Sequence, residues 1–215
     1  MAPPEAAGPA RCRSILVELL RPLGPAAGGW ADLLVAEFGS LAGALAAEPA
    51  AQARALGGGA AAVHHLGVVR DAMLHALRSE ALAGPTLGDS GALLDYLSLD
   101  MARLRKERLR VLFLNSRNRL LHDEIIAEGS VNGAPVYPRE IIRRALEVGA
   151  TALILVHNHP SGDPRPGKGD IEATRRIAEA GRALDICIHD HVIVARSGWS
   201  SFRTLGLLQP TGPEK

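Results

Sequence analysis

The sequence is poor in the residues that mark several classes of protein. Cysteine occurs twice, at Cys12 and Cys187, which is too few for a disulfide scaffold or a Cys-rich zinc site. Aromatic residues make up 3% of the chain, so large apolar anchors are scarce. The shortage of cysteine suits a reducing compartment, and the sequence therefore predicts a cytoplasmic protein.

An excess of one charge and long apolar runs are also missing. The 215 residues hold 24 Lys and Arg against 23 Asp and Glu, a net charge of +1. Residues 1–90 carry 6 basic and 8 acidic residues (net −2), and residues 91–215 carry 18 and 15 (net +3). Neither part has a strongly basic field, so a nucleic-acid partner is possible but not favoured. No run of about 18 apolar residues occurs, so no membrane span is predicted.

Shifts in composition divide the chain into predicted segments. They are a disordered tail at 1–13, a helical module at 14–83, a linker at 84–90, an α/β domain at 91–208 and a short tail at 209–215. The linker is predicted from its turn-forming sequence, GPTLGDS. In the α/β domain, strand patterns alternate with helix patterns, which predicts a mixed α/β sandwich.

The motif with the clearest chemistry lies at the end of a predicted strand, Thr151–Val156. His157 and His159 follow this apolar run at i and i+2, so their side chains should point to the same side. Ten residues then separate His159 from Asp170, at the start of a helical pattern. Two imidazoles and a carboxylate leave a fourth position for water, which is the arrangement of a catalytic zinc ion rather than a structural one.

Each part of this motif also has a simpler interpretation. Two histidines on a strand are commonly surface or packed polar residues, and the loop at residues 160–169 could be only a Pro- and Gly-rich turn. Asp170 could be only a helix-capping residue. The joint spacing, His-x-His followed ten residues later by Asp, favours the zinc site.

This spacing resembles the JAMM (MPN+) zinc metalloprotease motif. The longer sequence from GSVNGAPVYPREIIRRALEVGATALILVHNHPSGDP to the later DHVIV closely resembles the bacterial RadC family over roughly residues 91–208. The resemblance implies a JAMM/MPN (cytidine deaminase-like) mixed-sheet sandwich with Zn²⁺ bound by His157, His159 and Asp170. It also implies hydrolysis of a peptide or isopeptide bond in a peptide or protein substrate.

RadC-like proteins carry a helix-hairpin-helix segment before the catalytic domain. The turn Leu56-Gly57-Gly58-Gly59 between short helices resembles that hairpin, which binds DNA phosphates through backbone amides and nearby cations. Near this turn only Arg54 and Arg70 are permanent cations. The helical module is therefore predicted to be a degenerate helix-hairpin-helix-like unit with a packing or interaction role.

The resemblance also assigns a general base. An acidic residue of the RadC pattern stands five residues before a Gly-Ser/Thr pair, here Gly129-Ser130, and this selects Glu124. Such a carboxylate takes a proton from zinc-activated water and hands it to the leaving amine. Asp123 should face away from Glu124 on the strand, but Glu128 has the same parity, so alternation leaves Glu128 open.

Two further positions bear on the implied chemistry. Gly167 stands where JAMM enzymes usually have the serine that helps to hold the oxyanion, so efficient peptidase activity is less secure than metal binding. Asp190-His191 matches the Asp-His pair of the family. This pair is predicted to support the zinc ligands through hydrogen bonds.

Three other functions compete with zinc-dependent hydrolysis. A zinc nucleobase deaminase requires a Cys-x-x-Cys pair, which this sequence lacks. An HNH nuclease is suggested only by the letters His157-Asn158-His159. The serious alternative is a non-catalytic protein, DNA-associated or a scaffold, with a metal-stabilised core, although the acidic N-terminal module argues against DNA.

Overall fold

The structure is a computed structural model that describes residues 8–83, 91–129 and 137–208. By its contacts the chain divides into two compact units, Met1–Ala76 and Leu77–Lys215. The predicted linker at 84–90 and the tail at 209–215 lie outside the described residues. In the described ranges, the structure has no helix with both the length and the apolar character needed to cross a membrane.

The N-terminal unit is helical. A proline is tolerated in the first turn of a helix, where its missing N–H is not needed, and α1 begins at Pro9. Residues 9–13, predicted to belong to a disordered tail, are therefore helical, and residues 1–7 of that predicted tail lie outside the described residues. The helices are α1 (Pro9–Leu20), α2 (Ala27–Phe38), α3 (Leu41–Ala46), α4 (Pro49–Ala55) and α5 (Ala60–Ala83), with a 3₁₀ turn at Arg21–Leu23.

Local signals in the sequence explain where these helices start and stop. Gly39 adopts a left-handed conformation (φ 73°) that ends α2. The Ser40 side chain caps α3 by accepting a hydrogen bond from Gly43 N–H at 3.0 Å. Gly57 and Gly58, both with positive φ, make the turn between α4 and α5. The core of the unit is aliphatic, with Leu16, Leu20, Leu34 and Leu66 fully buried.

The second unit is built on one mixed sheet with the strand order β2-β1-β3-β4-β5. Strands β3 and β4 are parallel and connected through α8, and the other neighbouring pairs are antiparallel. The elements of this unit are α6 (Gly91–Met101), β1 (Glu107–Leu114), β2 (Leu120–Gly129), α7 (Pro138–Glu147), β3 (Ala152–Asn158), α8 (Lys168–Arg182), β4 (Cys187–Ala195) and β5 (Gly198–Ser201).

Helices cover both faces of this sheet. The face formed by Leu109, Val111, Leu153 and Leu155 packs against α7 and α8, and α6 contacts β4 and β5 from the other side. Every residue of β3 is buried, as expected for a central strand covered on both faces. The predicted mixed α/β sandwich, preceded by a helical region, is thus confirmed.

Candidate metal centre

The three predicted metal ligands meet where β3 ends and α8 begins. His157 is in β3, His159 lies one residue past its end, and Asp170 is the third residue of α8. Asp170 also has the capping role that its sequence position suggested, because its Oδ2 accepts a hydrogen bond from Gly167 N–H at 2.7 Å. The positive end of the helix dipole favours a carboxylate here.

The spacing of the ligand atoms matches one coordination shell. The two histidine Nε2 atoms are 2.9 Å apart. Asp170 Oδ1 lies 3.3 Å from His157 Nε2, and Asp170 Oδ2 lies 3.4 Å from His159 Nε2. Neighbouring ligands of a tetrahedral zinc ion with bonds of about 2.0 Å are about 3.3 Å apart. The three side chains are therefore close enough to share one metal ion.

The ring of His159 is oriented by a backbone carbonyl. Its Nδ1 lies 2.8 Å from the carbonyl oxygen of Asp163. A carbonyl oxygen only accepts hydrogen bonds, so Nδ1 carries the proton. In the neutral ring Nε2 then holds a lone pair, and this is the atom that faces His157 and Asp170.

A chain of hydrogen bonds fixes the tautomer of His157, so that Nδ1 carries the proton, as it does in His159. The Thr174 hydroxyl donates to the Asp170 carbonyl oxygen at 2.6 Å, so it accepts from His191 Nδ1, which is also 2.6 Å away. Burial lowers the pKa of His191 well below its ordinary value, so the ring is neutral and its Nε2 accepts. The donor is His157 Nδ1 at 2.7 Å, which leaves a lone pair on His157 Nε2.

Lone pairs and a negative charge therefore converge on one point. Burial raises the pKa of Asp170, but the two adjoining imidazoles outweigh burial and hold this pKa well below its usual range. This lowering reflects hydrogen bonds from imidazole N–H groups to Asp170 in the metal-free site. When a metal ion replaces those protons, two imidazole lone pairs and the ionised carboxylate of Asp170 face it. The pKa of His159 is raised, mainly by its contact with Asp170, so protons compete with a metal ion at low pH.

The role of Thr174 leads to a testable prediction. Thr174→Val keeps the side-chain shape but removes the hydroxyl between His191 and Asp170. Partners that orient a ligand imidazole are typically worth about 10–100-fold in metal affinity, so we expect zinc binding to weaken by that factor. Competition against a chromophoric chelator measures this, and Thr174→Ser, which restores the hydroxyl, should return the affinity toward that of the wild type. Equal zinc affinity in Thr174→Val and in the wild type would contradict this role of the Thr174 hydroxyl.

A carboxylate that the family pattern did not select lies beside the three ligands. In the β1–β3 register Leu109 pairs with His157, and continuing this register by two residues places Glu107 across from His159. Glu107 is partly buried, and its charge contributes to the raised pKa of His159, after the larger effect of Asp170. It also lines a cavity of about 50 Å³ shared with the ligands His157 and Asp170.

Glu124, the base predicted from the family pattern, lies on β2, away from the three ligands. Its register partner is Val111, which pairs with Leu155. Strand β1 lies between β2 and β3, so the Cα atoms of Glu124 and His157 are on the order of 12 Å apart. The carboxylate is held by the Arg144 guanidinium of α7, whose Nε donates to both oxygens at 2.9 and 3.0 Å. The structure therefore gives Glu124 a structural ion pair and does not bring it to the ligands.

The Glu124–Arg144 pair predicts a pH-dependent stability. Hydrogen bonding from Arg144 lowers the pKa of Glu124, so the pair stabilises the fold above the ordinary pKa of about 4.3. This stabilisation is lost as the pH falls through the lowered pKa of the folded protein. We expect Glu124→Gln to lower the free energy of unfolding by about 0.5–1 kcal/mol at pH 7. The difference from wild type should shrink in urea titrations below about pH 4, and a difference independent of pH would contradict the assignment.

A β-bulge separates Glu128 from Glu124, whereas Asp123 is the direct neighbour of Glu124 in the same register. The β1–β2 register shifts between Leu109 and Arg110, so the parity of β2 changes at Ile126. Glu128 consequently pairs with Arg108 and forms a salt bridge with it at 2.7 Å. The expectation that Glu128 shares the face of Glu124 is wrong for this reason, whereas Asp123 faces away as expected, toward Tyr96.

The Asp190-His191 pair is split between the two faces of the sheet. His191 lies beside Leu155 on the face that carries His157 and contacts that ligand. Adjacent strand residues point to opposite faces, so Asp190 points away. Its carboxylate accepts hydrogen bonds from His191 N–H, Arg203 N–H and the Ser201 hydroxyl, at 2.7, 3.0 and 2.6 Å. Asp190 thus anchors the β4–β5 region, and its effect on the ligands passes through the backbone of His191.

The chain resembles known proteins in the part that carries this site. A family model, the RadC-like JAB domain, matches residues 87–207, which is more than half of the chain. This chain belongs to the RadC-like JAB domain family. A relative from Rhodobacter capsulatus, described as a UPF0758 protein, is 47% identical over 171 residues, which cover 80% of each chain. The resemblance found in the sequence motifs is confirmed.

Proposed function

We propose that this chain is a zinc-dependent hydrolase that cleaves a peptide or isopeptide bond in a peptide or protein substrate. The observation that carries the proposal is the convergence of two imidazole lone pairs and one ionised carboxylate, with a second carboxylate beside them. His157, His159 and Asp170 would hold the ion. Three protein ligands leave one position open, as in catalytic rather than structural zinc sites.

A zinc ion bound there would supply Lewis-acid chemistry, polarising a substrate carbonyl and making water a stronger nucleophile near neutral pH. Glu107 is the residue of this chain best placed to move protons. It is not one of the three ligands, it lies across from His159, and it faces the shared cavity. Glu107 accepts the proton of the attacking water and passes it to the leaving amine.

Gly167 limits the expected rate. Its backbone N–H is already bound to Asp170, and it has no side chain to donate to a developing oxyanion. Losing one oxyanion donor typically costs about 10²–10³-fold in rate. The proposed hydrolase is correspondingly slow, and its assay requires long incubations with high concentrations of the protein.

The test is cleavage of a defined peptide pool by zinc-loaded protein. Peptides blocked at both ends reveal every cut as a new terminus in mass spectrometry, and a ubiquitin-type isopeptide-linked peptide pair covers the second bond class. Cleavage that disappears in His157→Ala supports the proposal. A protein that binds zinc but cuts neither class would contradict it and favour a non-catalytic, metal-stabilised role.

A further inference from the structure

Asn158 stands between the two histidine ligands but points to the other face of the sheet. It is fully buried, with an exposed fraction of 0%, and its side chain lies at the start of β1. Its Oδ1 accepts a hydrogen bond from Arg108 N–H at 2.8 Å. Its Nδ2 donates to the carbonyl oxygens of Lys106 at 3.0 Å and Leu104 at 3.5 Å.

These bonds hold the backbone on both sides of Glu107. Lys106 contributes the carbonyl that precedes Glu107, and Arg108 contributes the N–H that follows it. Glu107 is the first residue of β1, and the last β1–β3 register pair is Leu109–His157. Beyond that pair, hydrogen bonds from the Asn158 side chain replace the backbone hydrogen bonds that join β1 and β3 elsewhere.

We propose that Asn158 is a positioning residue that fixes Glu107 beside the metal ligands. The inference rests on the proposed role of Glu107 as base. Because His157, Asn158 and His159 are consecutive, one strand end orients the two ligand rings on one face and, through the Asn158 side chain, holds the backbone at the start of β1. The position of the base is thereby tied to the position of the ligands.

The amide is suited to this task by its chemistry. A carboxamide carries a donor and an acceptor on one short side chain, and here both are used on backbone groups that flank a single residue. Aspartate would keep the acceptor but turn an oxygen toward the Lys106 and Leu104 carbonyls. Alanine removes both functions and leaves the backbone groups without this partner.

The first arm of the test does not depend on activity. Asn158→Ala and Asn158→Thr are compared with the wild type for zinc content and for amide hydrogen exchange in peptides that cover residues 104–109. We expect about one zinc per chain in each variant and exchange at residues 104–109 that is faster by about tenfold or more, as for locally opened strand ends. Asn158→Thr keeps a strand-forming residue if Asn158→Ala folds poorly.

A matched control is available at the other end of the same strand. The Asn115 side chain accepts hydrogen bonds from the N–H groups of Arg117 and Arg119, at 2.9 and 3.1 Å. Asn115→Ala therefore also removes a side-chain amide that anchors the backbone next to β1. It should speed exchange in the β1–β2 turn and leave residues 104–109 unchanged.

The second arm separates positioning of Glu107 from general loss of structure. Cleavage of the best substrate from the peptide pool is measured for Asn158→Ala, Glu107→Gln and the double variant. A misplacement of the base by about 1 Å can cost on the order of 10²-fold, so Asn158→Ala should be slower by about that factor. If Asn158 acts through Glu107, adding Asn158→Ala to Glu107→Gln should lower the cleavage rate by less than about threefold.

The outcomes distinguish this inference from the proposed function. Unchanged exchange at residues 104–109, or a full 10²-fold loss on top of Glu107→Gln, overturns the role of Asn158 while leaving the hydrolase in place. Absence of cleavage by the wild type overturns the hydrolase, and the exchange arm then still decides whether Asn158 holds the start of β1. Faster exchange with an effect that vanishes in the Glu107→Gln background supports the inference.

Discussion

Glu107→Gln is expected to retain zinc and to lose about 10²–10⁴-fold in the rate of hydrolysis, the usual contribution of a general base. The substitution preserves the size of the side chain and removes only its ability to accept and release a proton. None of the three ligand atoms belongs to Glu107, so the metal content should stay at about one zinc per chain. Elemental analysis and the peptide assay on the same sample measure both quantities.

Glu124→Gln is the matched control for this prediction. It is the same chemical change, it also lies in the β1–β2 hairpin, and it alters the net charge of the protein equally. Because the Glu124 carboxylate is bound by Arg144, its loss should affect stability and leave turnover within about twofold of wild type. If Glu124→Gln abolishes hydrolysis while Glu107→Gln remains active, the base is Glu124, as the family pattern suggested.

His157→Ala is expected to lower the zinc content from about one per chain to near zero, because a three-ligand site loses one ligand. It should also destabilise the metal-free protein. Nε2 of the buried His191 loses its partner, and an unsatisfied buried polar group costs about 1–3 kcal/mol. Zinc analysis and urea unfolding of the metal-free protein test the two effects separately.

His159→Ala separates metal binding from stability. It should lose zinc as well, but its ring is more exposed (19% against 5% for His157) and its Nδ1 partner is a carbonyl of the neighbouring loop. The metal-free His159→Ala protein should therefore be more stable than metal-free His157→Ala. Zinc retained at full occupancy in either variant would contradict the assigned ligands.

The part of the site that the sequence predicted is the part set by local structure. A strand followed by a loop and a helix start fixes which side of β3 the two histidines face and where Asp170 lies. The alternation of side chains and the preference of carboxylates for helix N-termini are local rules. They bring His157, His159 and Asp170 together without knowledge of any other strand, and in the structure the three side chains do lie close to one another.

The remaining features depend on pairing between strands, which local rules do not give. Glu107 comes close to His159 only through the β1–β3 register, and the bulge at Ile126 reverses the face of Glu128. The sequence held one signal for Glu107. This residue stands two positions before Leu109 on the same strand, so the two side chains lie on the same face of the sheet. This signal was obscured because Glu107 lies in the basic run RLRKERLR, which is typical of a solvated helix end.

In the proposed site one zinc ion is held by two imidazole nitrogens and one carboxylate oxygen at the end of β3. X-ray absorption at the zinc edge, on protein loaded with one equivalent of zinc, tests it most directly. We expect a shell of nitrogen and oxygen atoms at about 2.0–2.1 Å with the scattering pattern of two imidazoles, reduced to one imidazole in His159→Ala. Sulfur in the shell, a spectrum of hydrated zinc, or a signal unchanged by that substitution would contradict this ligand set.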